Sequence, residues 1–140
     1  MKGFSLVEIL LALTIVGILA ITAVPVFRTL LAENDLAVSQ MLLSQAARLA
    51  QANARAVAFD NDWGMRAVKG SAVVFKGNDF ASRDTTEDTT FVLPSAIKFP
   101  ETSIIFSKFT AIPSQSASLT LKAPNNAERV WTMDSQGIIY

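Results

Sequence analysis

The feature that most constrains this chain is an uncharged run, residues 9–27, bracketed by Glu8 and Arg28. As a helix these 19 residues extend ~28 Å at about 1.5 Å per residue, close to the roughly 30 Å of a bilayer's hydrocarbon core. An ordinary secretory signal accounts for such a run, with Met1-Lys2 as a minimal basic start and Ile21-Thr22-Ala23 as a poor cleavage site. A plain membrane anchor accounts for it equally. Both leave Glu8 unexplained, because a charged carboxylate carried to the bilayer centre costs ~2.5–3.5 kcal/mol. An acid in that position calls for a partner.

Composition narrows the functions open to the chain. Its 140 residues leave room for one modest domain. Hydrophobic residues make up 51% and charged residues 17%, so part of the chain is expected to meet lipid rather than water. Twelve basic and twelve acidic residues cancel, which gives no global field for attracting nucleic acid. Cysteine and histidine are both absent, which removes disulfides, thiolate metal sites, the common zinc sites and Ser-His or Cys-His catalysis. An enzyme would have to work with carboxylates, Lys or Tyr, and no compact constellation of these occurs. No catalytic residue, metal or cofactor is therefore assigned, and a membrane-anchored hydrolase is the weakest of the functional classes.

The string Lys2-Gly3-Phe4-Ser5-Leu6-Val7-Glu8, followed at once by Ile9-Leu10-Leu11-Ala12-Leu13, resembles the processing and assembly motif of type IV pilins and type II secretion pseudopilins. The resemblance joins a small residue at the cut, an aromatic first mature residue and a glutamate at the fifth mature position. It implies that a prepilin peptidase and methyltransferase removes a leader, residues 1–3, by cutting after Gly3, and methylates the new amine on Phe4. The leader is shorter and less basic than many in that family. A side chain at Gly3 would obstruct close approach to the scissile backbone. The resemblance also implies that the Phe4 amine pairs with Glu8 of a neighbouring subunit. Two charges that are unfavourable in the membrane are then relieved together in one register, which makes the pair a selector of assembly. Pro25 removes the helical hydrogen bond to the Ile21 carbonyl and predicts a kink, and Gly17 is a second weak point. In the resembling filaments the backbone between positions matching Gly17 and Pro25 extends on assembly.

From Arg28 to about Ala58 there is no proline or glycine, and Ala, Leu, Gln and Arg dominate, so the membrane helix is expected to continue outward. Leu31, Val38, Leu42, Leu49 and Ala56 are expected to form the stripe that buries against a head, with Gln40, Ser44, Arg48, Gln51 and Arg55 on another face. A coiled coil is disfavoured by the charge of Asp35 at a d-like position. Residues 42–56 resemble the helix of H-type minor pseudopilins and of FimT-like minor pilins.

Asp60-Asn61-Asp62-Trp63-Gly64 breaks the pattern, and short β-prone runs follow. Strands are predicted at 65–68, 72–76, 90–93, 103–106, 118–122, 129–133 and 138–140, with Pro124-Asn125-Asn126 turning one hairpin. The stretch 83–90, acidic and rich in threonine, predicts a solvated loop. Asp60 and Asp62 resemble the start of a calcium loop, but the glycine comes too early and the later glutamate is missing. Lys98, Lys108, Lys122 and Arg129 are the cations available for a DNA-binding face, although their spacing is scattered.

Together these readings predict an α+β chain: a long N-terminal helix packed on a small antiparallel sheet or sandwich head. The division is leader 1–3, transmembrane and assembly half 4–27, amphipathic half 28–58, and β-rich extracytoplasmic head 59–140. The resemblance implies a single-pass inner-membrane precursor with a cytoplasmic N-terminus. Its expected partners are the peptidase, other pilin or pseudopilin subunits, the inner-membrane assembly platform and the lipid bilayer. The leading reading is a minor structural subunit of a pseudopilus or pilus; the alternative is a DNA-binding minor pilin of a DNA-uptake pilus.

Overall fold

The computed structural model describes residues 3–140, apart from the side chains of residues 22–24. Met1 and Lys2 of the expected leader lie outside the described residues. The chain is α+β, with one helix, α1 (Leu6–Arg55), packed on antiparallel sheets. At about 1.5 Å per residue its 50 residues extend ~75 Å, far beyond the head they carry. The helix runs unbroken through Gly17 and Pro25, and the Thr29 hydroxyl donates to the Pro25 carbonyl at 3.1 Å.

Six strands follow among the described residues: β1 (Trp63–Val68), β2 (Ser71–Lys76), β3 (Thr89–Val92), β4 (Thr102–Phe106), β5 (Ala117–Lys122) and β6 (Glu128–Met133). They form a four-stranded sheet in the order β3-β2-β1-β4 and a separate β5-β6 hairpin. Each matches a predicted run to within one or two residues. The predicted seventh strand at 138–140 pairs with β6 only briefly, through an isolated bridge, Met133 to Ile139, with Tyr140 and Thr132 exchanging both backbone hydrogen bonds (2.9 and 3.4 Å). The physical reason is local. The Asp134 carboxylate takes the amides of Gln136 (2.8 Å) and Ile138 (2.9 Å), so these donors serve a turn rather than a ladder.

The buried face of the helix is not the expected one. Ala32, Leu36, Ser39, Leu43, Ala46, Ala47, Ala50 and Ala54 are buried, whereas Leu31 and Ala56 are exposed and Val38, Leu42 and Leu49 lie at the flank. The core stripe is thus rotated by one residue, about 100° around the helix. Leucine spacing misled because the sheets are met mainly by alanines, whose small side chains let the helix backbone approach closely. Across the contact sit Trp63, Met65, Ala67, Val74, Ile104 and Phe106 from the large sheet, and Leu119, Leu121, Trp131 and Met133 from the hairpin. Burial of Trp131 leaves its indole N–H needing an acceptor. It donates to the Ser44 hydroxyl at 3.0 Å, which in turn donates to the Gln40 carbonyl at 2.8 Å. Two residues assigned to the polar face thus face inward in part: Ser44, and Gln51, whose amide donates to the Gly137 carbonyl at 2.7 Å.

The helix ends three residues earlier than expected. Val57 adopts φ 52°, ψ 37°, and a short 3₁₀ turn, Ala58–Asp60, carries left-handed angles at Phe59 and Asp60 as well. Left-handed backbone costs a non-glycine residue roughly 1–2 kcal/mol, and more concern attaches to a β-branched one. Tertiary bonds hold the turn: the Trp63 indole donates to the Ala58 carbonyl (3.0 Å), and the Phe109 amide donates to the helix-terminal Ala54 carbonyl (3.0 Å).

The acidic, threonine-rich stretch is mostly exposed, as expected, with Arg83, Glu87 and Asp88 half-buried. Arg83 pairs with Asp88 at 2.8 Å, and its guanidinium lies 3.6 Å from the Phe80 ring centroid. Phe80 meets Phe75 edge to face at 5.2 Å on the side of the sheet away from the helix. Hydrogen bonds from the Ser82 hydroxyl and the Ala81 amide hold the Asp79 carboxyl below its ordinary value, and the Thr86 hydroxyl does the same for Asp84.

Two substitutions test the packing. Ser39 is the one buried polar residue of the core stripe among the described residues, and its hydroxyl has no partner. Ser39→Ala is expected to stabilise the head by about 1 kcal/mol. A Cβ at Gly64 would overlap the Phe75 ring and come within 2.8 Å of Ile105 Cδ1. Gly64→Ala is expected to destabilise by roughly 1–3 kcal/mol. Thermal unfolding of the detergent-solubilised chain reads both, with shifts of opposite sign.

Candidate processing and assembly site

The first helical turn is built by a reciprocal cap. Ser5 has extended backbone angles, its hydroxyl accepts the Glu8 amide at 3.3 Å, and the Glu8 carboxylate accepts the Ser5 amide at 3.0 Å. This capping box satisfies two of the amides a helix start leaves without partners, and it places the carboxylate at the positive end of the helix dipole. Ser5 carries no role in the sequence reading of the site, yet its signal was present: Ser-x-x-Glu ahead of an apolar run.

Gly3 and Phe4 precede the helix, and Phe4 is 84% exposed. A Cβ added at Gly3 would meet nothing within 4 Å among the described residues, so the bond after Gly3 is open to approach. Phe4 and Glu8 stand together with Ile9, Ala12, Leu13 and Val16 along one shallow apolar depression of the helix surface. No basic side chain pairs with Glu8 among the described residues. Gly17 does not line this depression; it lies nine residues beyond Glu8, about 14 Å at 1.5 Å per residue, with open space around it. Pro25 is eight residues beyond that, and exposed.

The most apolar 18-residue stretch of the helix has mean hydropathy 2.7, and none of it is buried within the chain. Its length and composition suffice to cross a membrane.

Other candidate groups are spent elsewhere. The Asp62 carboxylate accepts the Lys108 amide at 2.8 Å, and Asp60 pairs with the Lys108 ammonium at 3.2 Å. No group of three or more Asp, Glu, His or Cys positioned to hold a metal ion occurs among the described residues. Of the four cations considered for nucleic acid, Lys98 and Lys122 face each other in an isolated bridge and Arg129 lies on the strand paired with that of Lys122, whereas Lys108 sits apart beyond the helix C-terminus. Lys122 pairs with Glu128 at 2.6 Å and Arg129 with Glu33 at 3.5 Å.

Comparison with known proteins agrees with the geometry of the N-terminus. Residues 1–24 match the family described as the prokaryotic N-terminal methylation motif, the signal of type IV pilin-like prepilins. No curated protein and no solved structure matches the chain. The motif and the long apolar helix that follows it are together consistent with a membrane-anchored chain that carries a prepilin-type signal.

If the capping box orders the first turn, Ser5→Ala should cost about 1 kcal/mol of local helix stability. Amide exchange at residues 6–9, followed by NMR in micelles, should speed up while exchange in the head stays unchanged.

Proposed function

We propose that this chain is the precursor of a minor structural subunit of a type II secretion pseudopilus or type IV pilus. A prepilin peptidase cuts after Gly3, and the amine of Phe4 is methylated. The helix then anchors the subunit in the inner membrane, its N-terminus cytoplasmic and its β-rich head on the outer side. On assembly the helices pack together, and the Phe4 ammonium of one subunit meets Glu8 of the next. The role asks for no catalytic residue.

The observation that carries this reading is Glu8 itself. A carboxylate stands in an otherwise apolar, exposed helix surface beside Phe4, without a cation among the described residues. Isolated in lipid such a charge is unfavourable, and pairing with an ammonium in the correct register removes most of that penalty. The capping box keeps the carboxylate at the Phe4 end of the helix, where a neighbour's amine would arrive. Gly17 and Pro25 supply a stretch of helix with weak intrinsic preference, suited to extension when the subunit leaves the bilayer. The likeness of residues 42–56 to H-type pseudopilins and FimT-like minor pilins supports a minor rather than a major subunit.

Two measurements test the reading. Mass spectrometry of the native protein should give a chain beginning at N-methylated Phe4, and an intact Met1 would sink the proposal. Glu8→Ala should insert and be trimmed as the parent is, yet lose most incorporation into filaments, read by immunoblot of sheared fractions; parental incorporation opposes the pairing.

A further inference from the structure

The foot of the head forms a recess where the apolar run of the helix ends, and we infer that it seats one glycerophospholipid, with Arg28 and Asn125 on the phosphate and Asp35 on a headgroup amine. The inference rests on the anchoring of the helix in a bilayer proposed above and goes beyond it.

The recess is an open cavity of about 400 Å³ between the helix and two loops, with Leu31 and Ala32 on one side and Ala96 and Pro124 on the other. Its outer wall is firmly held. Leu93 and Ile97 are buried on either side of Ala96, and the backbones of Lys98 and Lys122 exchange hydrogen bonds at 2.9 and 2.8 Å, which ties the loop after β3 to the β5-β6 turn. The turn is closed in its own right by the Ala123 amide, which donates to the Ala127 carbonyl at 2.9 Å. A ligand therefore meets a preformed wall and has little protein to order.

Position decides what fills the recess. Arg28 follows directly on Phe27, the last residue of the uncharged run, so with that run in hydrocarbon the recess stands at headgroup depth. Arg28, Leu31, Ala32 and Asp35 fall at i, i+3, i+4 and i+7 and share one face of the helix. Arg28 is at the membrane end, and Asp35 stands seven residues above it, about 10 Å along the axis. Phosphatidylethanolamine presents its groups in the same order: acyl chains in the bilayer, phosphate at its surface, ammonium outermost.

The charges are free to serve it. Neither Arg28 nor Asp35 has an ion-pair partner among the described residues, and Lys98, two residues past Ala96, adds a further cation without one. A guanidinium offers a phosphate paired N–H donors on a flexible stem. Asn125 spends its side-chain oxygen on the Ala127 amide at 3.1 Å, which leaves its N–H donors for the phosphate. Asp35 makes the selection, because a primary ammonium gives it both charge and N–H donors. The headgroup of phosphatidylglycerol has no cation, and that of phosphatidylcholine has no N–H. A lipid held in this way fixes the height and rotation of the head over the bilayer, and it has to be released before the subunit leaves the membrane.

The full-length chain is reconstituted in nanodiscs of phosphatidylethanolamine, phosphatidylglycerol and phosphatidylcholine in equal parts. Insertion is read from co-migration with the discs, and the lipids that stay on the chain are counted by native mass spectrometry. One phosphatidylethanolamine is expected, retained over the other two by roughly tenfold. Asp35→Asn should abolish the preference while a phospholipid is still held, and Arg28→Gln should lower retention of all three. Ala96→Trp fills the recess without altering charge and should lower phosphatidylethanolamine retention by a similar factor, with thermal unfolding of the head unchanged. An inserted chain that retains the three lipids alike, or prefers phosphatidylglycerol, overturns the lipid site and leaves the anchoring standing. So does retention that Ala96→Trp does not move while the head stays folded. A chain that fails to enter the discs overturns the anchoring, and the lipid site with it.

Discussion

Everything in this molecule depends on how far along one helix the head reaches. The helix is continuous from Leu6 to Arg55, but its side chains are covered by the rest of the chain only from Ala32 onward. Above that point alanines at 46, 47, 50 and 54 bring the helix backbone close to two sheets, and the apolar stripe is a normal amphipathic face. Below it the helix is apolar all round and meets nothing of its own chain. A helix is one of the few structures that tolerates such exposure in lipid, because its backbone groups past the first turn are paired internally, with the Ile21 carbonyl opposite Pro25 the exception. The same helix thus presents an uncovered apolar half and a half packed against the head.

The exposed half carries one charged group within its first turns, and the chain invests a local device in holding it. The Ser5–Glu8 capping box orders the start of the helix and fixes the position of the carboxylate. The head invests its own irregularities at the opposite end. Val57, Phe59, Asp60, Phe109 and Ala111 all take positive φ where the helix turns into β1 and where the loop after β4 returns, and the two loops are bonded to each other. Strain of that kind is held by the Trp63 indole, which bonds the Ala58 carbonyl in the 3₁₀ turn, and by the Phe109 amide, which bonds the helix-terminal Ala54 carbonyl. The outer face of the large sheet has a smaller cluster of its own, in which Phe75, Phe80 and Arg83 roof over the close approach at Gly64.

Much of this was legible from residues alone, and what was not shares a cause. Strands with period-two alternation and flanking turn residues, such as 118–122, appeared within a residue or two of their expected places. The buried helix face was misread by one residue, because leucines advertise burial more loudly than alanines, although it is the small side chains that permit a helix to lie close on a sheet. The threonine-rich stretch is mostly exposed, as its dense charges suggested, but its internal pairing was not legible. Arg83 and Asp88 are partners across five residues, and the aromatic ring that receives Arg83 is visible only once the loop has folded over the sheet. The last predicted strand shortened to a brief pairing with β6, because the Asp134 side chain takes the amides of Gln136 and Ile138 while Tyr140 still bonds Thr132.

The sequence by itself determined the membrane-length helix, the methylation motif at its start, the isolated acid and the alternation of short strands, since each is a matter of residue type at short spacing. Tertiary structure alone decided which helix face is covered and where the helix stops. Those outcomes depend on contacts between residues as distant in the chain as Ser44 and Trp131, or Ala54 and Phe109. The free energy of such contacts belongs to pairs of surfaces and has no representation in either segment taken alone.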